Sequence, residues 1–180
     1  MARISRRRIQ QFLTRSREAT TTTEKGRALE DLICYLFETI PGISIGARNV
    51  LNPFETDELD IGLWNEKSET RLFSLPDVIP IECKNWDSSV GSAEVDRFIG
   101  KLRRRGLRFG ILIATNGITG NTEDKDAAHA IIMAGLMEIT PMRIIVITLE
   151  ELSALEDSDQ LLEMMKRKIS ELQIYGTVFP

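Results

Sequence analysis

The run Phe109-Gly-Ile-Leu-Ile-Ala114 constrains the fold of this chain more than any other stretch. A continuous apolar run has no wet face to offer, so it reads as a strand buried on both sides, and such strands belong to parallel sheets covered by helices. The residues before it supply the crossover. Val78 to Trp86 reads as a strand, a Gly-Ser break follows, and a helix from about Ala93 carries the apolar stripe Val95, Phe98, Ile99 and Leu102, with Gly106 as its C-cap. Strand, helix and strand in that order form a right-handed crossover unit. An α/β fold is therefore expected, and 180 residues with 42% hydrophobic content suit one well-buried domain.

The remaining elements follow from local signals. Thr21 and Glu24 are spaced as a capping box, and Leu29, Leu32, Ile33, Leu36, Phe37 and Ile40 form one buried helical stripe that ends at Pro41-Gly42. Ile43, Ile45 and Ala47 alternate as a short strand, and Asn52-Pro53 marks a turn. An acidic stretch with Glu55, Asp57, Glu58 and Asp60 then feeds the apolar run Ile61-Gly-Leu-Trp64, and a polar connection at 65–70 returns the chain as a hairpin through Leu72 and Phe73 to Ile79 and Ile81. After the buried strand come a loop at Thr115–Gly120, an alanine-rich helix with Ala127, Ala128, Ile131, Ile132 and Ala134, and a strand from Arg143 to Thr148. Glu150 to Leu155 and Asp159 to Leu172 close the chain as helices. The single histidine, His129, reads as a packed or surface residue with no role.

Charge and cysteine content narrow the function classes. No apolar run approaches the roughly 20 residues of a membrane span. Cys34 and Cys83 sit in apolar patterns without metal-ligand spacing, so they read as reduced thiols of a cytoplasmic protein with no disulfide partner. A net charge of −4 excludes a protein coated in basic charge, while a nucleic-acid site needs only a local positive surface. One candidate is the N-terminus, where Arg3, Arg6, Arg7, Arg8, Arg15 and Arg17 precede the first acid, Glu18. An organelle transit peptide, a solvated helix and a phosphate-gripping arm all match this pattern; the arm is favoured, which divides the chain into a basic arm (1–19) and a single domain (20–180). The other is the helix from Ala93, where Arg97, Lys101 and Arg104 share a face flanked by Arg103 and Arg105. These cations suit phosphate contact or the helix dipole.

Chemistry concentrates at Glu82-Cys-Lys84. Alternation along the strand sets Glu82, Lys84 and Trp86 on one face and Ile81, Cys83 and Asn85 on the other, so a carboxylate and an ammonium stand side by side. Asp60, entering an apolar run, is the best placed of the four upstream acids to be held rigidly, and the hairpin returns it beside Glu82. Asp77, in a literal Pro-Asp pair, lies five residues before Glu82 on the same strand, more than roughly 15 Å away and too far to share a cation. Glu30 lies at the edge of the first helical stripe and matters only if that helix packs beside Glu82.

Glu30, Asp60, Glu82-Cys83-Lys84, a basic helix and the run Ile111-Leu-Ile-Ala-Thr-Asn-Gly117, in this order, resemble the PD-(D/E)xK nuclease superfamily. Within it, the Ala114–Thr119 run and the following alanine-rich helix are most similar to Mrr-like restriction endonuclease domains, over roughly Gly26 to Thr148. The resemblance implies a restriction-endonuclease-like αβββαβ core with a mixed central sheet flanked by helices, leaving the N-terminal basic arm and the C-terminal helices outside it. It also implies hydrolysis of DNA phosphodiesters with Mg²⁺, for which Mn²⁺ can substitute. Asp60, Glu82 and the carbonyl of Cys83 would hold the cation, Glu30 would help directly or through water, and Lys84 would activate the water. Arg97, Lys101, Arg104 and Arg105, with Arg6, Arg7 and Arg8, would contact DNA, and a homodimer is one expected state. The chain departs from the pattern in lacking a proline before Asp60, and in carrying Glu82 where many Mrr-like domains have glutamine. A Holliday junction resolvase-type nuclease and a nuclease-fold DNA-binding module without turnover are the alternative readings.

Overall fold

The computed structural model describes residues 2–51, 57–120 and 128–178. The turn expected at Asn52-Pro53, the acid Glu55 and Ala127 lie outside them.

Five strands form one sheet in the order β1-β2-β3-β4-β5, with β1 (Ile43–Leu51), β2 (Glu58–Asn65), β3 (Val78–Lys84), β4 (Phe109–Ala114) and β5 (Arg143–Ile147). β1, β2 and β3 are antiparallel neighbours, while β3, β4 and β5 run parallel. The sheet is thus mixed and flanked by helices, as the sequence pattern predicts. A 3₁₀ turn at Thr70–Leu72 interrupts the β2–β3 connection. There Asn65 Nδ2 donates to the carbonyl of Leu72 at 3.0 Å, holding the loop against the sheet.

Helices cover both faces. On one side lie α1 (Arg6–Glu18), α2 (Thr22–Phe37) and α6 (Ser158–Ser170), on the other α3 (Ser92–Arg104) and α4 (Ala128–Leu136). β4 shows why an unbroken apolar run was required: Ile111 and Ile113 join the core under α2, while Leu112 and Ala114 join the core under α3, and all four are fully buried. Gly110 permits the close seat of α3, because a Cβ there would come within 2.8 Å of both Leu102 Cδ1 and Phe98 Cζ.

Two boundaries differ from expectation. β5 ends at Ile147 because Thr148 caps the short helix α5 (Leu149–Ser153), with a reciprocal box to Glu151. The N-terminal segment is a helix docked on the domain. Ser5 caps α1, and Ile4, Ile9 and Leu13 are buried in the same core as α2 and the sheet. Its start is tied to α6: Ile4 N–H donates to the Glu156 carbonyl at 2.9 Å, and Ala2 and Ser158 exchange hydrogen bonds. No helix among the described residues is long and apolar enough to cross a membrane.

Candidate active site

The alternation of β3 turns Ile81 and Cys83 toward α2 and Glu82 and Lys84 toward α3, where Glu82 is only 2% exposed. A buried carboxylate needs partners, and this one has two. Lys84 Nζ lies 2.9 Å from Glu82 Oε1, and Lys101 Nζ reaches both oxygens, at 2.8 and 2.7 Å. Glu94, on the first turn of α3, meets Lys84 in turn at 3.3 Å. Glu94 and Lys101 are seven residues apart, two helical turns, so one edge of α3 supplies both charges to the end of β3.

Asp60 enters from β2. The register Ile61↔Ile81 sets Asp60, one step further, across from Glu82. Its Oδ2 accepts the Cys83 backbone N–H at 2.7 Å, a bond that fixes the carboxylate at the sheet end. Burial, and then the charge of Glu82, push the Asp60 carboxyl up to about 6, against the opposing pull of that N–H and of Lys101 and Lys84. Burial draws the Lys84 ammonium down, but Glu82 and Glu94 outweigh it and leave its pKa raised, so Lys84 is firmly protonated. The Cys83 thiol is raised well above its ordinary value by burial. It is no nucleophile at neutral pH.

The structure brings Asp60, Glu82 and Lys84 together, and it places Glu30 elsewhere. Glu30 is buried on α2, toward the opposite face of the sheet, and its Oε2 accepts from Arg48 Nε at 3.3 Å and from Asn49 Nδ2 at 3.0 Å. Among the described residues no group of three or more acidic, histidine or cysteine side chains is gathered to hold a metal ion. The pair Asp60 and Glu82 nevertheless suits a hard divalent cation. Both donors are carboxylate oxygens, and a bound cation would offset both the burial and the Glu82 charge that hold the Asp60 carboxyl up.

The expected basic face of α3 divides. Lys101 is a correction: it is 8% exposed and spent on Glu82, because its position three residues after the buried Phe98 turns it toward the sheet. Arg97 is exposed and paired with Glu94, and Arg103 is paired with Glu138. Arg104 and Arg105 both engage Asp57, whose carboxylate is buried against the C-terminal end of α3. On α1, Arg6 pairs with Glu156 and Arg8 lies over the Tyr35 ring at 4.3 Å, while Arg7 has no ion pair among the described residues. Glu94 is the site's unforeseen member, and Lys101 enters it as a partner of Glu82 where a phosphate contact was expected. The seven-residue spacing of Glu94 and Lys101 puts both on one edge of α3 but does not say that this edge meets the end of β3.

A family model described as restriction endonuclease, the Mrr catalytic domain, matches residues 22–153. A search of curated proteins finds no match. With a match over more than two thirds of its length, and with Asp60, Glu82 and Lys84 assembled where β2 and β3 meet in a mixed sheet, this chain belongs to the restriction endonuclease family as an Mrr-like PD-(D/E)xK nuclease domain.

Proposed function

We propose that the protein is a metal-dependent endonuclease that hydrolyses phosphodiester bonds in DNA. The observation that carries this is the meeting of Asp60 and Glu82 across β2 and β3 with the Lys84 ammonium 2.9 Å from Glu82. Asp60, Glu82 and the Cys83 carbonyl would hold Mg²⁺ or Mn²⁺, with Glu30 acting at most through water from its place beside Arg48. When bound, such a cation polarises the phosphate and lowers the pKa of a coordinated water. The chain's own residues do the rest. Cys83 N–H orients Asp60, Lys101 holds Glu82, and Glu94 steers Lys84, whose ammonium orients the water and balances the charge that grows at phosphorus. Arg97, Arg104 and Arg105, together with Arg6, Arg7 and Arg8, supply the cations for the DNA backbone. A cytoplasmic homodimer is the expected working form.

Incubation of supercoiled, linear and branched DNA with Mg²⁺ or Mn²⁺ tests this reading. Cutting by the wild type, abolished in Asp60→Ala and Glu82→Ala, is expected; undiminished cutting by both variants would falsify it. Lys84→Ala should retain Mg²⁺ binding in calorimetry and lose turnover. The clasp of Lys101 on both Glu82 oxygens favours one alternative, a binding module without turnover, in which the ammonium takes the cation's place. DNA retention with no cutting under any divalent metal would mark that module.

A further inference from the structure

Beside the candidate site lies a groove of about 390 Å³ that the proposed chemistry leaves unused. It follows the carboxyl ends of β3 and β4, walled by Ser16 and Arg17 of α1, Lys25 of α2, Asn85 and Trp86 after β3, and Asn116 after β4. Its volume falls in the range of small-molecule sites. That is room for a nucleotide.

Trp86 is the informative wall. Large aromatic rings gain most from burial, yet this one is 40% exposed. Its backbone is fastened all the same: the Trp86 carbonyl accepts from Thr115 Oγ1 at 2.9 Å and from Asn116 Nδ2, which pins it to the end of β4. Lys84 Nζ lies 5.8 Å from the ring centroid, so an exposed aromatic face on a held backbone adjoins the ammonium proposed to meet the scissile phosphate. Asn85 turns the other way and donates to Ser16 Oγ at 2.9 Å and to the Lys25 carbonyl at 2.8 Å, knitting α1 and α2 into the far wall. The cations there are Lys25, whose ammonium is shared with the exposed Asp87 at 2.6 Å, and Arg17, which has no ion pair among the described residues.

We propose that this groove takes an unpaired nucleotide of the DNA strand next to the scissile phosphate, with Trp86 stacking on its base and Arg17 and Lys25 meeting its phosphates. An aromatic platform flanked by cations is how proteins hold single strands without reading their sequence. In a duplex the base faces are covered by their neighbours, so the ring has nothing to stack on until a base is freed. The inference rests on the nuclease reading and narrows it to DNA that is single-stranded beside the cut.

Trp64→Phe leaves Trp86 as the single tryptophan, since the chain has two. Its emission is titrated with an unlabelled single-stranded oligonucleotide and with a blunt duplex of the same sequence, without divalent metal so that neither is cut. Anisotropy of dye-labelled copies follows binding in parallel. The expected result is a fall in Trp86 emission with the single strand and almost none with the duplex. Trp86→Ala should weaken single-strand binding by about 5- to 150-fold, Trp86→Phe should restore most of it, and duplex binding should not change. Single-strand binding with unchanged emission overturns the inference, as does an equal response to the two forms or equal weakening of both by Trp86→Ala. If neither form binds, the nuclease reading itself fails, and this inference with it.

Discussion

Asp60→Asn separates what the candidate site does for chemistry from what it does to the fold. In the wild type, burial and Glu82 lift the Asp60 carboxyl from its ordinary 3.8 to about 6. A group whose pKa rises on folding contributes its full stability below the unfolded value and loses it as pH climbs through the folded one. Asp60 therefore weakens the fold progressively between about pH 4 and pH 6 and keeps it weakened above. At about 1.4 kcal/mol per pH unit, the full effect is about 3 kcal/mol. Asp60 is partly open to solvent, and screening brings the effect down to about 1–2 kcal/mol. Asparagine removes the charge and retains an oxygen for the Cys83 N–H that Asp60 accepts at 2.7 Å. In chelator at about pH 7.5 the variant should be the more stable by about 1–2 kcal/mol, a gain of about 3–6 °C in Tm for a chain of this length. The gap should close near pH 4, where the wild-type carboxyl is also neutral. Mg²⁺ should raise the Tm of the wild type and leave the variant where it was, because only a bound ligand shifts the unfolding equilibrium. Thermal melts across pH, with and without Mg²⁺, read all of this. A variant that melts at or below the wild type near neutral pH, or a gap that persists undiminished at pH 4, refutes the electrostatic account.

Lys101→Met strips one of two ammoniums from the buried Glu82 and should cost about 3 kcal/mol in urea unfolding, with Mn²⁺ restoring part of the loss. An unchanged midpoint would mean that the pair contributes nothing to the fold. Arg97→Gln with Arg104→Gln removes two cations whose side chains are 62% and 56% exposed. If both touch phosphates, the salt dependence of DNA affinity should flatten by up to about 2 in log–log slope, since each contact carries about 0.9. Gly110→Ala forces a methyl into the 2.8 Å gap beneath Phe98 and Leu102. A loss of about 1–3 kcal/mol in denaturant melts is expected, with slower cleavage because α3, which carries Lys101, must shift.

The period of two along Val78–Trp86 sufficed to place Glu82 and Lys84 side by side, and the unbroken run of β4 sufficed to require helices on both faces. Both inferences are local, because each depends on the geometry of one strand. Lys101 was beyond such reasoning. On a helical wheel it lies between the apolar stripe and the face of Arg97 and Arg104, and the partner that holds it inward, Glu82, is nineteen residues away and one layer below. Glu30 sits at the edge of the α2 stripe, as the spacing predicts, but the guanidinium that claims it comes from the far part of β1, where alternation had already faded. α1 shows the reverse case. Its arginines dominate the composition, while Ile9 and Leu13, one turn apart, decide where the helix goes. The carboxylates that receive Arg6 and Arg15, Glu156 and Asp31, lie in segments whose proximity no local pattern encodes.

The share that α1 and α6 take in one core makes the unit of homology smaller than the unit of folding. The family match begins at residue 22 and ends at 153, yet Ile4, Ile9 and Leu13 on one flank and Leu161, Leu162 and Met165 on the other finish the core that Leu32, Ile33 and Phe37 begin. An expression fragment trimmed to the match would contain Asp60, Glu82, Lys84 and Lys101 but lose the α1 wall of the Trp86 groove, with the apolar side of the sheet and α2 left partly bare. Apolar surface of that extent drives self-association. Boundaries chosen by resemblance alone would thus yield a protein that has its whole candidate site and precipitates before the site can be assayed.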